Sequence, residues 1–367
     1  MTLPISTLGI VGTGAMGRGI AQLAAEAGLQ VKLHDTRDSA VAEAKAFVAK
    51  LWVRGVEKQR FDETHAAELN QRLEDAATLE ALADCDLVIE AIVERVDAKQ
   101  RLFEQLEAVL DEQAILATNT SSLSVTEIAA TCERPERVIG FHFFNPVPLM
   151  KIVEVIPGLR TDLAVVEAVE ALGQRFGHFT ARTTDTPGFL VNHAGRALGT
   201  EALCILGEGV ADVATIDRLL VDQGGFRMGP FSLFDLIGLD VSHAVMESIY
   251  HQYYEEPRYR PSVLTGRRLS AGLLGRKSGE GFYRYLDGKP QLPDEPAVPE
   301  SQPLPVWISG EDSAAREQLA ALVEAAGWPL EHGATPSETA LCLLMPFGED
   351  TTDCALRLGL DAGRCVA

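Results

Sequence analysis

The chain has 367 residues, 46% hydrophobic and 23% charged, an ordinary globular balance with room for two or three domains. Its formal net charge of −21 repels phosphate backbones and anionic lipid, which excludes nucleic acid and membrane surfaces as expected partners. Six cysteines without C-x-x-C spacing, no H-E-x-x-H pattern, no long apolar run and no basic-then-apolar leader exclude an evident metal site, membrane span or secretory signal, so the cytosol is the expected compartment.

Leu8 to Val11 reads as an apolar strand, followed at once by Gly12-Thr13-Gly14-Ala15-Met16-Gly17, an Ala-rich helix from Arg18 to Ala27, and an alternating strand from Leu29 to His34 closed by Asp35. A G-x-G-x-x-G loop alone is weak evidence; placed between strand and helix, with an acid about 20 residues on, it points to a dinucleotide. Gly12 permits the tight turn, Gly14 lets a pyrophosphate approach the backbone and Gly17 lets the helix lie close to the sheet. Asp35 suits a ribose diol and repels a 2′-phosphate, which favours NAD over NADP, with Arg37 the nearby residue arguing the other way.

Asp38 to Ala77 reads as two antiparallel helices with a turn around Gly55 and Glu57 to Phe61. Lys45, Lys50, Arg54, Lys58 and Arg60 gather there, either as solvated helix surface or as a landing site for a ligand phosphate. Asp86 to Ile92 is a continuous apolar strand of the kind buried in a parallel sheet. It leads through Glu94 into a helix, Asp97 to Leu110, that carries Lys99. Ala114 to Ala117 is a further strand, followed by Thr118-Asn119-Thr120-Ser121-Ser122 and a capping box, Ser124 and Glu127, for a helix from Val125 to Thr131. Ligands of open parallel sheets bind beyond the carboxyl ends of the strands, so Glu94, Asn119 and Ser121 fall on the same edge as the glycine loop.

Val138 to Phe143 and Lys151 to Ile156 read as strands, and Pro146 and Pro148 between them force a turn. Folded antiparallel about Pro148, they make His142 and Glu154 cross-strand partners with Cβ atoms about 5 Å apart. An imidazole with a carboxylate on its far nitrogen has a fixed tautomer, and its free nitrogen can take a proton from an alcohol near neutral pH. The alternative is a buried histidine satisfied by a neighbouring acid; the glycine loop and the Ser121 stretch favour the catalytic reading.

A helix from Leu163 to Arg175 and a strand from Phe179 to Arg182 complete the sheet. From Thr186 the chain turns nearly all-helical to about Leu274, with Asn192 and Arg196 four apart on one helix face, and Lys277 to Tyr285 closes the region. Leu286 to Leu304, rich in proline and acid, reads as an extended linker. Beyond it a small α/β unit is expected: strands Pro305 to Ser309, Pro329 to His332 and Thr339 to Met345, with helices Ser313 to Ala326 and Thr351 to Gly359. It stops soon after a strand start at Arg364-Cys365-Val366-Ala367, so it reads as incomplete and the chain as a fragment of a longer protein. The expected fold is a doubly wound α/β Rossmann domain with an inserted helical hairpin (1–185), an all-α domain (186–285), a linker (286–304) and a partial α/β unit (305–367).

With these pieces assembled, residues 5 to 285 resemble the 3-hydroxyacyl-CoA dehydrogenase family. The resemblance is carried by GIVGTGAMGRGIA at Gly9 to Ala21, VIEAIVE at Val88 to Glu94, TNTSSL at Thr118 to Leu123, GFHFFNPVPLMKIVEVI at Gly140 to Ile156, DTPGFLVN at Asp185 to Asn192 and GRKSGEGFY at Gly275 to Tyr283. It implies NAD-dependent hydride transfer between (S)-3-hydroxyacyl-CoA and 3-oxoacyl-CoA, with His142 as general acid/base, Glu154 orienting it, and Ser121 and Asn192 bonding the reacting oxygen or thioester carbonyl. It places NAD on Gly12, Thr13, Gly14, Ala15, Met16, Gly17, Asp35, Glu94, Lys99, Ser121, Asn145 and Lys277. It implies CoA contact at Lys58, although the serine the family uses earlier on that hairpin is Leu51 here. The helical domain would close over the acyl chain and pair two copies into a homodimer. Longer members that resemble this chain are of the phenylacetate-degradation type, for which Arg196 would either read a distal carboxylate of 3-hydroxyadipyl-CoA or make an ion pair. The rival readings are a dehydrogenase of a free hydroxy or sugar acid on the same fold, and a crystallin-like protein that binds nucleotide without turnover.

Overall fold

The computed structural model describes residues 5–295, 297, 302–310 and 313–366, and for 196, 313 and 362 the backbone alone. β1 (Thr7–Val11) passes through the glycine loop into α1 (Ala15–Glu26) and returns as β2 (Gln30–His34). The small side chains of α1 let it lie close to the sheet: Gly17, Gly19, Ala21, Ala24 and Ala25 are all buried. The inserted hairpin follows as α2 (Ala40–Glu57) and α3 (Glu63–Gln71). A Cβ at Gly55 would lie 2.5 Å from the Phe61 ring, so the glycine makes room for the turn's own side chain.

Reading Asp38 to Ala77 as two helices omits a strand that the structure adds, β3 (Leu73–Asp75), parallel to β2. Of its three residues only Leu73 is buried, too short a stretch to show an alternating pattern. β4 (Leu87–Glu90), α4 (Val96–Glu107), β5 (Ile115–Thr118), α5 (Val125–Ala129), β6 (Val138–Phe143), β7 (Ile152–Pro157), α6 (Leu163–Arg175) and β8 (Phe179–Arg182) complete the layer. The eight strands run in the order β3-β2-β1-β4-β5-β6-β7-β8, and only the β6–β7 pairing is antiparallel. Every residue of β4 and β5 is buried, as strands covered by helices on both faces must be.

Ile139, Phe141 and Phe143 of β6 pack into the apolar layer that also holds Ile10, Leu33 and Trp52. Alternation then turns His142 to the opposite face of the sheet. Burying each phenylalanine is worth about 1.5–3 kcal/mol, and a one-residue slip would exchange Phe141 with His142, so the apolar pattern fixes the histidine's direction.

The helical region comprises α7 (Val191–Gly207), α8 (Val213–Arg218), α9 (Pro230–Ile237), α10 (Leu239–Gln252) and α11 (Val263–Ser270), around Leu203, Phe231, Phe234, Leu239 and Met246. Two buried acids tie it together. Asp217 accepts the backbone N–H of Phe231 at 2.9 Å and the Tyr283 hydroxyl at 3.0 Å. Asp235 accepts the N–H groups of Phe282 and Tyr283, each at 2.8 Å, which docks the closing GEGFY stretch. The segment expected to be an extended linker from Leu286 begins instead as a hairpin, β9 (Tyr285–Leu286) and β10 (Lys289–Pro290), turning at Asp287 and Gly288 with φ of +49° and +75°.

Met1–Pro293 form one compact unit and Asp294–Ala367 a second. The second is α/β: β11 (Val306–Ile308), α12 (Ser313–Ala325), β12 (Leu330–Glu331), β13 (Leu341–Leu343), α13 (Thr351–Arg357) and β14 (Cys365–Val366). Its strands form a parallel sheet, β12-β11-β13-β14, over a core with Trp307, Cys342 and Cys354. No described helix is long and apolar enough to cross a membrane.

Candidate active site

The glycine loop has the shape its sequence predicts. Gly12 has φ +94°, and a Cβ there would lie 2.6 Å from the Ala91 carbonyl oxygen; at Gly17 one would lie 1.8 Å from that of Gly12. A Cβ at Gly14 would meet nothing within 4 Å, and no side chain caps the α1 N-terminus that begins there. The loop therefore leaves an open cradle at a helix N-terminus, which fits a dinucleotide diphosphate.

Asp35 also organises the loop. Its Oδ2 accepts the Thr13 N–H at 2.8 Å and hydroxyl at 3.0 Å, and its Oδ1 accepts the Arg37 N–H at 3.0 Å. Burial works against the charge, but these hydrogen bonds and the nearby Arg37 guanidinium hold the carboxyl below its usual range. The Arg37 guanidinium itself pairs with Glu43 at 3.0 Å, on an exposed surface.

The turn after β5 is held from beneath by Glu94. Its Oε1 accepts the Thr120 hydroxyl at 2.6 Å, the Ser121 N–H at 2.8 Å, and the Ser122 N–H and hydroxyl, each at 3.2 Å. The Ser121 hydroxyl lies 3.3 Å from the same oxygen. Desolvation opposes the Glu94 charge, but Lys99 and the Thr120 and Ser121 donors outweigh it and the carboxyl is held low. Asn119 stitches neighbouring strand ends by accepting the Phe143 N–H at 2.9 Å.

His142 and Glu154 occupy paired positions on β6 and β7, and His142 Nδ1 lies 2.6 Å from Glu154 Oε2. Both side chains are buried, with Phe144 and Phe189 against the imidazole. A carboxylate there makes Nδ1 the donor and leaves Nε2 to exchange a proton. The other oxygen, Oε1, accepts the N–H groups of Leu190 and Val191 at 2.9 and 2.8 Å, so Glu154 also caps α7. One residue on, Asn192 donates through Nδ2 to the Ser121 carbonyl oxygen at 3.2 Å. His142 and Glu154 thus share one cluster, and Asn192 joins Ser121 to the helix that Glu154 caps.

Other expected site residues lie apart from this cluster. Lys99 is buried, with Nζ 2.6 Å from Glu90 Oε1 and 3.3 Å from Glu94 Oε2, so it reaches the site through Glu94. The Lys277 ammonium pairs with Asp240 at 2.5 Å, at the start of α10. Asn145 is exposed in the β6–β7 turn and Lys58 at the end of α2, while Leu51, two turns earlier on that helix, is half-buried. Lys45, from the basic group of the hairpin, pairs with Asp75 at 2.6 Å. Arg196 lies on α7, but its side chain is outside the described residues.

The expected capping box is half formed. Ser124 accepts the Glu127 N–H at 3.1 Å, but the acid that completes the cap is Asp185, which accepts the Ser124 hydroxyl at 2.8 Å and the N–H groups of Val125 and Thr126 at 2.9 and 2.7 Å. From α10, Gln252 donates to the Ser122 carbonyl oxygen at 2.8 Å. Sequence reading did not find the roles of Glu90, Asp185 and Gln252; the available signals were Asp185 opening the DTPGFLVN stretch and a glutamate at the end of a wholly apolar strand. All six cysteines are free thiols, and burial pushes those of Cys85 and Cys132 up to about 12, which makes them poor nucleophiles. No cluster of three metal-binding side chains occurs among the described residues.

Residues 7–186 match the family model for the NAD binding domain of 3-hydroxyacyl-CoA dehydrogenase, and residues 188–285 match the model for its C-terminal domain. A 3-hydroxybutyryl-CoA dehydrogenase of Bradyrhizobium diazoefficiens is 41% identical over 290 residues, 79% of this chain and 99% of that protein. A 3-hydroxyadipyl-CoA dehydrogenase of Escherichia coli K12 is 43% identical over 286 residues, 78% of this chain and 60% of that protein. The crystal structure of (S)-3-hydroxybutyryl-CoA dehydrogenase from Ralstonia eutropha superposes with a TM-score of 0.75 at 41% identity, covering 77% of this chain and all (100%) of that one.

Proposed function

Because this chain belongs to the 3-hydroxyacyl-CoA dehydrogenase family, whose members are NAD-dependent oxidoreductases, we propose that it interconverts (S)-3-hydroxyacyl-CoA and 3-oxoacyl-CoA with His142 as the general acid/base. The observation that carries this reading is the Nδ1–Oε2 contact of 2.6 Å between His142 and Glu154. Glu154 fixes the imidazole so that Nε2 faces the substrate, and Nε2 takes the 3-hydroxyl proton as the ketone forms. Bound NAD would supply the hydride acceptor for C3. In the reverse direction the protonated imidazole returns the proton to the alkoxide oxygen. Ser121 and Asn192 hold the reacting oxygen or the thioester carbonyl and stabilise charge as it grows there.

Gly12, Thr13, Gly14, Ala15, Met16 and Gly17 would hold the diphosphate, and Asp35 the ribose. Glu94 would hold the nicotinamide end with Ser121, Lys99 acting through Glu94, and Asn145 and Lys277 would complete the contacts. Specificity for NAD is supported by Asp35 and by the turn of Arg37 towards Glu43. Lys58 would meet the CoA phosphates. The division of labour we assign is cofactor binding by 1–185 and substrate binding and self-pairing by 186–285, with the chain after the β9–β10 hairpin leading to 305–367. Self-pairing into a homodimer is supported by Leu233, Leu236 and Ile237 on α9, which stand 43%, 51% and 45% exposed. The acyl group is short or a dicarboxylic acyl such as 3-hydroxyadipyl, for which Arg196 is the candidate reader by its sequence position, in fatty-acid or aromatic-acid catabolism in the cytosol.

The test is NADH absorbance with acetoacetyl-CoA. The expected result is acyl-CoA-dependent oxidation of NADH that is lost in His142→Gln; no oxidation by the intact protein overturns the reading. Comparing 3-hydroxyadipyl-CoA with 3-hydroxybutyryl-CoA then assigns the acyl group, and equal rates remove the role of Arg196.

A further inference from the structure

Beneath the serine turn lies a buried ion pair whose acid, Glu90, has no part in the chemistry above. Glu90, the last residue of β4, is fully buried, and Lys99 on α4 is 1% exposed. Glu90 Oε1 accepts the Lys99 ammonium at 2.6 Å and the Ile92 N–H at 2.7 Å, while its Oε2 accepts the Thr118 hydroxyl at 2.7 Å. The Lys99–Glu94 separation is longer, 3.3 Å, and it falls on the Glu94 oxygen that the serine turn does not use. Burying the Glu90–Lys99 ion pair is expensive, and an apolar pair of the same volume could hold the fold as well, so stability alone does not account for the arrangement.

We propose that Glu90 is a positioning residue for the reaction. It draws the Lys99 ammonium towards itself, which leaves Glu94 free to hold Thr120, Ser121 and Ser122 and so sets the Ser121 hydroxyl against the substrate oxygen. Thr118 fixes the second oxygen of Glu90 and with it the direction of the pull. This inference rests on the reading of Ser121 as a substrate contact.

The sign of a double-mutant comparison tests it. In Glu90→Gln the ammonium is left with the Glu94 carboxylate and pulls it off the turn, so kcat with acetoacetyl-CoA falls about tenfold. Adding Lys99→Met removes the pull, so Glu90→Gln/Lys99→Met turns over faster than Glu90→Gln and to within about threefold of a Lys99→Met control. If Glu90 only fills space and bonds its neighbours, the double variant is no faster than the single one, which overturns the proposal. Should Glu90→Gln fail to fold, Thr118→Val is the milder probe. It leaves Oε2 of the buried Glu90 without its donor and is expected to lower kcat about threefold or more, with Tm down by a few degrees in protein that still folds. A parent-like kcat in folded Thr118→Val overturns the proposal. Ser121→Ala, run alongside, separates the two levels: parent-like turnover there removes both readings, whereas impaired Ser121→Ala with parent-like Glu90→Gln removes this one alone.

Discussion

Glu154 accepts the backbone N–H of Val191 at 2.8 Å with the carboxylate whose other oxygen holds His142 at 2.6 Å, so one buried acid both orients the imidazole and caps a helix. The two duties respond differently to substitution. In Glu154→Gln the amide oxygen can still accept the N–H groups of Leu190 and Val191, but the amide nitrogen then faces Nδ1 and imposes the other tautomer. Turnover should fall by on the order of 10²–10⁴ while Tm changes little. Glu154→Ala removes the cap as well and should cost about 1–2 kcal/mol more in denaturant unfolding. Equal stability losses in the two variants would show that the cap contributes nothing.

His142→Gln isolates the proton transfer. The ring's partners are Glu154, Phe144 and Phe189, so titration of protein fluorescence with NADH should give a Kd within about threefold of the parent, while kcat falls by on the order of 10²–10⁴. A loss of NADH affinity comparable to the loss of turnover would place His142 in cofactor binding instead.

Much of this geometry was legible in the sequence because it follows from local rules. Pro146 and Pro148 set the turn, and the period of two between Phe141 and Phe143 sets the face, so the pairing of His142 with Glu154 needs no knowledge of the rest of the chain. The glycine loop and Asp35 were legible for the same reason. What was hidden depends on elements far apart in sequence: Glu154 meeting α7, Asp185 displacing Glu127 as the cap of α5, Gln252 reaching the Ser122 carbonyl. Polar side chains carry no periodicity that names a partner, and β3 was too short to show one.

Part of the acid sensitivity should originate at Asp35 and Glu94. Asp35 and Glu94 both have folded pKa values below their ordinary 3.8 and 4.5. A depressed carboxylate contributes stability that is complete above its unfolded value and is lost as pH falls through the folded one. Tm should therefore hold steady down to about pH 5 and decline below it, with a shallower decline in Glu94→Gln, which has no proton to take up there. An acid limb of unchanged steepness in that variant would assign the loss to other carboxylates.

The glycine loop offers a contrast between room for the fold and room for the ligand. A Cβ at Gly17 would sit 1.8 Å from the Gly12 carbonyl oxygen, so Gly17→Ala must push α1 away from the loop. Overpacking of this kind costs about 1–3 kcal/mol, and Tm should drop by several degrees. At Gly14 the backbone has φ −64° and an added methyl meets nothing within 4 Å, so Gly14→Ala is compatible with the fold and its Tm should match the parent. The methyl would stand in the open cradle at the head of α1, where a pyrophosphate must approach the backbone, and NADH affinity should fall about tenfold or more. Calorimetry and NADH titration on the two variants separate the effects: a Gly14→Ala protein with parent-like affinity would move the diphosphate off this helix N-terminus.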